Sequence, residues 1–95
     1  MQLGKIVGTV VSTQKDVKLE GLKFHVVENV DCDGNAIGGY VVAVDAVGAG
    51  VGEVVLYCAG SAARQTDITQ GKPVDHVIMA IVDIVEINGV DRFVK

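Results

Sequence analysis

The chain has 95 residues, of which 49% are hydrophobic and 12 are glycine, and its formal net charge is −4. This length predicts one domain, residues 1–95, with a single core. A core this small cannot hide so much apolar surface, so we expect another chain, a membrane or a ligand to cover part of the exterior. Eight basic residues are scattered among twelve acidic ones. That balance argues against nucleic-acid binding, which needs clustered Lys and Arg.

The same composition argues against a membrane location. A membrane-spanning helix needs about 20 apolar residues in succession, and the longest apolar runs, such as residues 77–82, are far shorter. The first five residues, Met1 to Lys5, lack the hydrophobic segment of a secretion signal, which predicts a cytoplasmic protein. Cys32 and Cys58 fit that compartment as buried, reduced thiols.

β-branched residues set the predicted fold class. The chain has 20 Val and 7 Ile against 4 Leu, and such side chains favour pleated strands over helices. Gly- and Asp-rich breaks separate apolar runs of strand length. The predicted strands are residues 3–13, 23–30, 40–47, 53–58 and 76–87, with a short strand at 90–94.

The breaks between these runs predict the connections. Asp33-Gly34 indicates a hairpin turn at residues 31–35, and Asn88-Gly89 indicates a second one. A glycine-rich loop, residues 48–52, joins the third and fourth strands. Ser61 is predicted to cap one short helix over residues 62–65. Five main strands and one short helix predict an all-β, OB-like barrel. Several strands are apolar on both faces, so we expect one face to meet a neighbouring subunit.

No motif in the chain predicts catalysis or cofactor binding. The dinucleotide-binding fingerprint needs a third Gly where this chain has Glu53, and a helix must follow where we predict a strand. Ser61-Ala62-Ala63-Arg64 resembles a Ser-x-x-Lys motif, but Arg stays protonated and cannot act as the base. An ion pair is the expected role of Arg64. We therefore predict neither an enzyme nor a bound cofactor.

Metal binding is not predicted either. Asp31-x-Asp33-x-Asn35 resembles the start of a calcium loop, but Ala36 and Val42 occupy the positions that need Gly and Glu. His25 and His76 lie on separate predicted strands without ligands at metal-binding spacing. Both are expected to be surface or interface histidines.

Three segments read together are distinctive: residues 45–53 (DAVGAGVGE), 60–64 (GSAAR) and 73–83, which begins PVD and ends AIVD. Shorter patterns at residues 8–13 and 19–23 precede them. This ordered set closely resembles the EutN/CcmL family, the vertex proteins of bacterial microcompartments such as carboxysomes. It covers most of residues 1–87. Ala62 replaces the second Ser of the Gly-Ser-Ser-Ala-Arg that family members often have, which should not change the fold.

The resemblance implies an OB-like barrel that forms a cyclic pentamer at the vertices of a microcompartment shell. It also implies hexameric and trimeric shell proteins as further partners. Candidate residues for subunit contacts, or for the surroundings of the central axis, are Asp45, Gly48, Ala49, Gly50, Gly52, Glu53, Ser61 and Arg64.

Two other hypotheses come from different functional classes. The first is a monomeric OB-type module that binds a small ligand or an oligosaccharide, although the chain has few aromatic residues to form a groove. The second is a small enzyme with Cys58 or Ser61 as its nucleophile.

Overall fold

The structure is a computed structural model that describes residues 1–95. It contains seven strands: β1 (Gln2–Val10), β2 (Phe24–Val30), β3 (Ala36–Asp45), β4 (Val54–Ala59), β5 (His76–Ile81), β6 (Ile84–Ile87) and β7 (Val90–Val94). Two short 3₁₀ turns, Val17–Leu19 and Gly60–Arg64, are its only helical elements. None of them has the length and apolar character that a membrane crossing requires.

Strands β1 to β5 form a closed barrel in the order β1-β2-β3-β5-β4. The β3–β5 pair is parallel, and all other neighbouring pairs are antiparallel. The predicted all-β, five-stranded barrel is therefore confirmed. Strands β6 and β7 form a separate two-stranded hairpin outside the barrel.

The barrel interior is a single apolar cluster. Its buried members are Ile6, Val27, Ala43, Ala49, Val55, Tyr57 and Ile78. Tyr57 is the largest of them, and its hydroxyl group bonds to the side chains of Gln2 and Asn29. These bonds satisfy the polar end of a buried aromatic side chain.

Two further clusters lie outside this interior. The outer cluster consists of Val44, Cys58, Ala63, Val74 and Val77, so the Gly60–Arg64 turn contributes to it through Ala63. The hairpin cluster consists of Val30, Val54 and Val82, against which Val85 and Phe93 of the hairpin pack. Part of the apolar excess of the chain is buried in these two places.

The predicted strand at residues 76–87 is wrong as a single element. It is divided at Val82 and Asp83, and only its first half belongs to the barrel. The N–H group of Val82 still donates to the Val54 carbonyl, whereas the Asp83 carbonyl accepts from Lys95 beyond the hairpin. The chain changes partner here without a Gly or Pro, so the break leaves no turn signal in the sequence.

The predicted capped helix is also wrong in detail. Gly60–Arg64 is a 3₁₀ turn that starts after Ala59, and no side chain caps it. Ser61 is exposed inside the turn rather than preceding it. Gly60 has φ of +67°, which lets the strand bend directly into the turn.

Smaller differences concern element ends and one cysteine. β3 begins at Ala36 rather than residue 40, because Ala36 already pairs with Val30 across the hairpin turn. β1 ends at Val10, three residues early. Cys58 is buried as expected, but Cys32 is exposed because it lies in the turn at residues 31–35.

Gly4 is the glycine at which an added side chain would meet its neighbours most closely. A Cβ atom on Gly4 would lie 2.3 Å from Cγ1 of Val27 and 3.2 Å from Cε1 of Tyr57. We predict that Gly4→Ala lowers the free energy of unfolding by about 1–3 kcal/mol, because a well-packed core must shift to admit the methyl group. Urea denaturation at fixed protein concentration measures this change, and an unchanged midpoint would contradict it.

Candidate functional site

Asp45 organises the start of the glycine loop, which we define as residues 46–53 between β3 and β4. Its Oδ1 atom accepts hydrogen bonds from the backbone N–H groups of Val47 (2.9 Å), Gly48 (2.9 Å) and Ala49 (3.2 Å). Its Oδ2 atom lies 3.2 Å from Nε2 of His25 on β2. One carboxylate therefore joins two strands and the loop.

This carboxylate is held in its ionised form although its side chain is only 3% exposed. Burial acts to raise the pKa of Asp45, but the hydrogen bonds from the three loop N–H groups and from His25 outweigh it. The pKa of Asp45 therefore lies below its ordinary value of 3.8.

His25 was predicted to lie at the surface or in an interface, and this is wrong. It is buried, because Asp45 provides a polar partner inside the end of the barrel. His76 is half-buried and meets Tyr57 edge to face, with ring centroids 5.9 Å apart. No group of three His, Cys, Asp or Glu side chains is placed to hold a metal ion.

Glu53 organises the end of the glycine loop. Its Oε1 atom accepts from the N–H group of Gly50 at 2.7 Å, and its Oε2 atom lies 2.8 Å from Nζ of Lys95. The bond from Lys95 is the main cause, and the bond from Gly50 the next, of the lowered pKa of Glu53. Gly52 donates to the Ile6 carbonyl, and Ile6 donates to the Glu53 carbonyl, so the loop is also tied to β1.

The three glycines of the loop have different roles. Gly48 (φ +77°) and Gly52 (φ +95°) occupy the left-handed region, which other residues adopt only with strain. Gly50 is not in that region, and its role here is the N–H bond to Glu53. Ala49 points into the barrel core and is almost fully buried. The loop therefore closes one end of the barrel in a fixed shape.

The loop also presents two apolar side chains to solvent. Val47 is 40% exposed and Val51 is 62% exposed, and each lies beside a glycine with a left-handed backbone. Neither valine is among the candidate residues predicted from the sequence. The available signal was a valine next to a glycine within a loop, because glycine has no side chain against which the valine could pack.

The Gly60–Arg64 turn is held separately. Arg64 donates from Nη1 to the Val74 carbonyl at 3.2 Å and lies 3.7 Å from the Asp75 carboxylate. The N–H group of Gly60 donates to the Asp75 carbonyl at 2.8 Å. The Arg64–Asp75 ion pair is long and exposed, so the hydrogen bond to the Val74 carbonyl does more to hold the Arg64 side chain in place.

The candidate residues therefore do not form one site, and Gly52 is bound to Ile6 of β1 rather than to another candidate. Asp45 binds Gly48 and Ala49, while Glu53 binds Gly50. Ser61 and Arg64 make no hydrogen bond to the loop. The connection between the loop and the turn is apolar, since Ala46 packs against the outer cluster that contains Ala63.

Residues 31–35, which resemble the start of a calcium loop, form the predicted turn. Oδ1 of Asp31 accepts from the N–H groups of Asp33 (2.9 Å) and Asn35 (3.0 Å). The carboxylate of Asp33 is paired with Arg92 of the hairpin at 2.6 and 2.8 Å. These carboxylates therefore fix the turn and anchor the hairpin to it.

The sequence matches the family described as "Ethanolamine utilisation protein EutN/carboxysome" over residues 1–83. The chain belongs to the EutN/CcmL family. It is 48% identical to the carboxysome shell vertex protein CcmL of Synechococcus elongatus over 89 residues, which cover 94% of this chain and 90% of that relative. Both the resemblance inferred from the sequence and the expected structural role are thereby confirmed.

Solved structures of the EutN/CcmL family agree with the fold. The structure of CcmL from a Nostoc species has a TM-score of 0.95 and 45% identity, and the match covers 100% of both chains. GrpN of Rhodospirillum rubrum, a pentameric microcompartment shell protein, has a TM-score of 0.84 and 44% identity, covering 92% of this chain and 99% of GrpN. This EutN/CcmL-family chain is a structural vertex protein of a microcompartment shell in the bacterial cytoplasm, and not an enzyme.

The hydrogen bonds of the Asp45 carboxylate predict that its contribution to stability depends on pH. Replacing Asp45 by Asn keeps the shape but removes the charge, so Asp45→Asn should be less stable at neutral pH by about 1–3 kcal/mol. Because the pKa of Asp45 is lowered by folding, its stabilising contribution is complete above the ordinary value of 3.8. It is lost as the pH falls through that value towards the lower pKa of the folded state.

The difference in unfolding free energy between the two proteins should therefore shrink below pH 3.8. Denaturant titrations of both proteins at several pH values measure it. A difference that stays constant from neutral pH to acid would show that the charge of Asp45 does not stabilise the fold.

Proposed function

We propose that five copies of this chain form a closed ring that occupies a corner of a microcompartment shell. The observation that carries the proposal is the likeness to pentameric GrpN, which extends over 92% of this chain. The uneven burial of the apolar residues supports it as well. Valine and isoleucine side chains remain exposed on the barrel, on the glycine loop and on the hairpin.

The proposed role follows from the geometry of closed surfaces. Units with six-fold symmetry tile a flat layer, and such a layer closes into a polyhedron only when five-fold units enter at its corners. A five-fold ring is a head-to-tail assembly, in which two different surfaces of each subunit meet. The function therefore needs a stable shape and two complementary faces, and it needs no reactive group.

The glycine loop and the Gly60–Arg64 turn are the proposed contact segments near the ring axis. Their exposed positions, Gly48, Gly52 and Ser61, would meet the neighbouring subunit or surround the axis, with Arg64 at the edge of the contact. The more buried candidates, Asp45, Ala49, Gly50 and Glu53, would act by holding the loop in shape. Fixing the loop before assembly lowers the entropy cost of the contact.

The outer edges of the ring are proposed to meet hexameric and trimeric shell proteins. Support for these partners comes from the required geometry, because a corner unit is always surrounded by the layer that it closes. Their binding needs no cofactor and no nucleic acid.

The oligomeric state is the first test of this proposal. We predict that native mass spectrometry at micromolar concentration finds a species of five times 9.9 kDa. Burial of exposed valines between subunits should keep it intact on moderate dilution. A stable monomer under the same conditions would refute the ring.

Shell closure is the second test. Hexameric shell proteins co-produced with this chain should give closed polyhedral shells that retain a fluorescent cargo protein. Without it they should give open sheets or tubes that release the cargo, because flat tiling needs no five-fold unit. Electron microscopy and the retained fluorescence measure both results. Closed shells that form equally well without any vertex protein would contradict the corner role.

A further inference from the structure

One cleft of the subunit has a charge opposite to that of the whole chain. It has a volume of about 430 Å³ and lies where β1 ends and β2 begins, beside the connection between them. Lys15 and Lys23 line this cleft, and no Asp or Glu does. Because the formal net charge of the chain is −4, two ammonium groups in one cleft are not expected from the composition. We call it the basic cleft.

The carboxylates close to the basic cleft in the chain are bound elsewhere. Asp16, which follows Lys15, accepts from the N–H group of Lys18 at 2.9 Å. Asp45 accepts from the glycine loop and faces the imidazole ring on β2. Neither lysine of the cleft pairs with a carboxylate, and Nζ of Lys15 donates only to the Ser12 carbonyl, at 3.3 Å. Both ammonium charges are therefore available to an anion.

The remaining lining of the basic cleft is largely apolar, with side chains from Val10, Val11, Leu22 and Phe24. Leu22 and Phe24 also pack against the outer cluster, which fixes one side of the cleft. Val10 is 39% exposed and Val11 is 87% exposed, so a ligand in the cleft would cover apolar surface. Sites for small organic molecules combine such a lining with a few polar groups, in volumes of about 300–1,000 Å³.

His25 is the one buried residue among those that line the basic cleft, so it marks the floor. Its Nε2 atom faces Asp45, whereas its Nδ1 atom is buried without a hydrogen-bond partner. Buried polar atoms nearly always have a partner, so this atom is not explained by the fold of the subunit. Because ionised Asp45 accepts the hydrogen on Nε2, Nδ1 is an acceptor in the neutral ring and a donor in the imidazolium ring.

We propose that the basic cleft binds a small phosphate ester, with the phosphate group between Lys15 and Lys23 and an apolar organic group against Phe24. A phosphate monoester carries a charge of about −1.5 to −2 at pH 7, which matches two ammonium groups. Near neutral pH it exists both with and without a hydrogen on the phosphate, so it can bond to either form of the His25 ring. A carboxylate is fully ionised at that pH and can only accept.

The rim of the basic cleft is free to adjust to such a ligand. Val11, Ser12 and Lys15 are exposed and lie beyond the last pair of residues that joins β1 to β2. A small shift of this rim lets a phosphate oxygen reach Nδ1 of His25, which is shielded from water. The same imidazole ring then connects the ligand to Asp45, and through it to the glycine loop. Every group involved belongs to one subunit, so binding does not depend on the proposed ring.

Isothermal titration calorimetry of the full chain in its native assembly tests the cleft with three probes. Phenyl phosphate has both the charge and an apolar group, inorganic phosphate has only the charge, and benzyl alcohol has only the apolar group. Phenyl phosphate should bind at least about tenfold more tightly than inorganic phosphate, and benzyl alcohol should not bind detectably. No binding of phenyl phosphate at millimolar concentration, or equal binding of the two phosphates, would overturn the proposal.

Variants and NMR then locate the bound phenyl phosphate. Lys15→Gln and Lys23→Gln should each weaken its binding about tenfold, because each removes one charge-assisted contact. Lys18→Gln is the matched control, since Lys18 is exposed in the same connection but does not line the cleft. The ring resonances of His25 should shift on titration, and those of His76, which is outside the cleft, should not.

Equal weakening by all three variants, or an unchanged His25 ring, would overturn the basic cleft as the binding site. A monomeric wild-type protein that still binds phenyl phosphate in this way would refute the proposed ring and leave the cleft intact.

Discussion

The hydrogen bonds of the Asp45 carboxylate determine the arrangement of one whole end of the barrel. This single side chain binds β2 through His25 and fixes three successive N–H groups of the glycine loop. Because those groups are fixed, Ala49 enters the barrel core and the flanking valines remain outside. Without the carboxylate, three N–H groups would need new partners, and their hydrogen bonds would no longer stabilise the conformation of the loop.

The other end of the loop is held through Glu53, and this contact links distant parts of the chain. Lys95 reaches Glu53 from beyond β7, so the hairpin and the glycine loop share one ion pair. The hairpin is in turn joined to the turn at residues 31–35 by the Arg92–Asp33 pair. Each pair is exposed and contributes little alone. Together with Phe93 in the hairpin cluster, they position a two-stranded element that could not be stable by itself.

The sequence predicted the fold class and the family well, because both depend on patterns that recur along most of the chain. Valine-rich runs indicate strands, and the ordered glycine and GSAAR segments indicate the EutN/CcmL family. The change of partner at Asp83 could not be predicted, since an apolar run looks the same whether it stays in one sheet or crosses to another. Asn88-Gly89 did predict the hairpin turn correctly, because a two-residue turn with both residues at positive φ has a strong local signal.

The contacts that define the site depend on residues far apart in sequence. His25 and Asp45 are twenty positions apart, and Glu53 and Lys95 are forty-two apart. No local pattern connects such pairs, so His25 was assigned to the surface or an interface and Lys95 was not considered. Ser61 was misread for the opposite reason, because Gly-Ser before an alanine pair has a strong capping signal that a five-residue 3₁₀ turn does not use.

The two cysteines differ in exposure, so each chain offers one accessible thiol for chemical labelling. Cys58 is buried in the outer cluster, whereas Cys32 is exposed in the turn that the hairpin anchors. A thiol-reactive dye would therefore modify one defined position per chain without any engineered residue. Energy transfer between dyes at Cys32 in neighbouring chains would report the spacing of subunits directly, in solution or in an assembled particle.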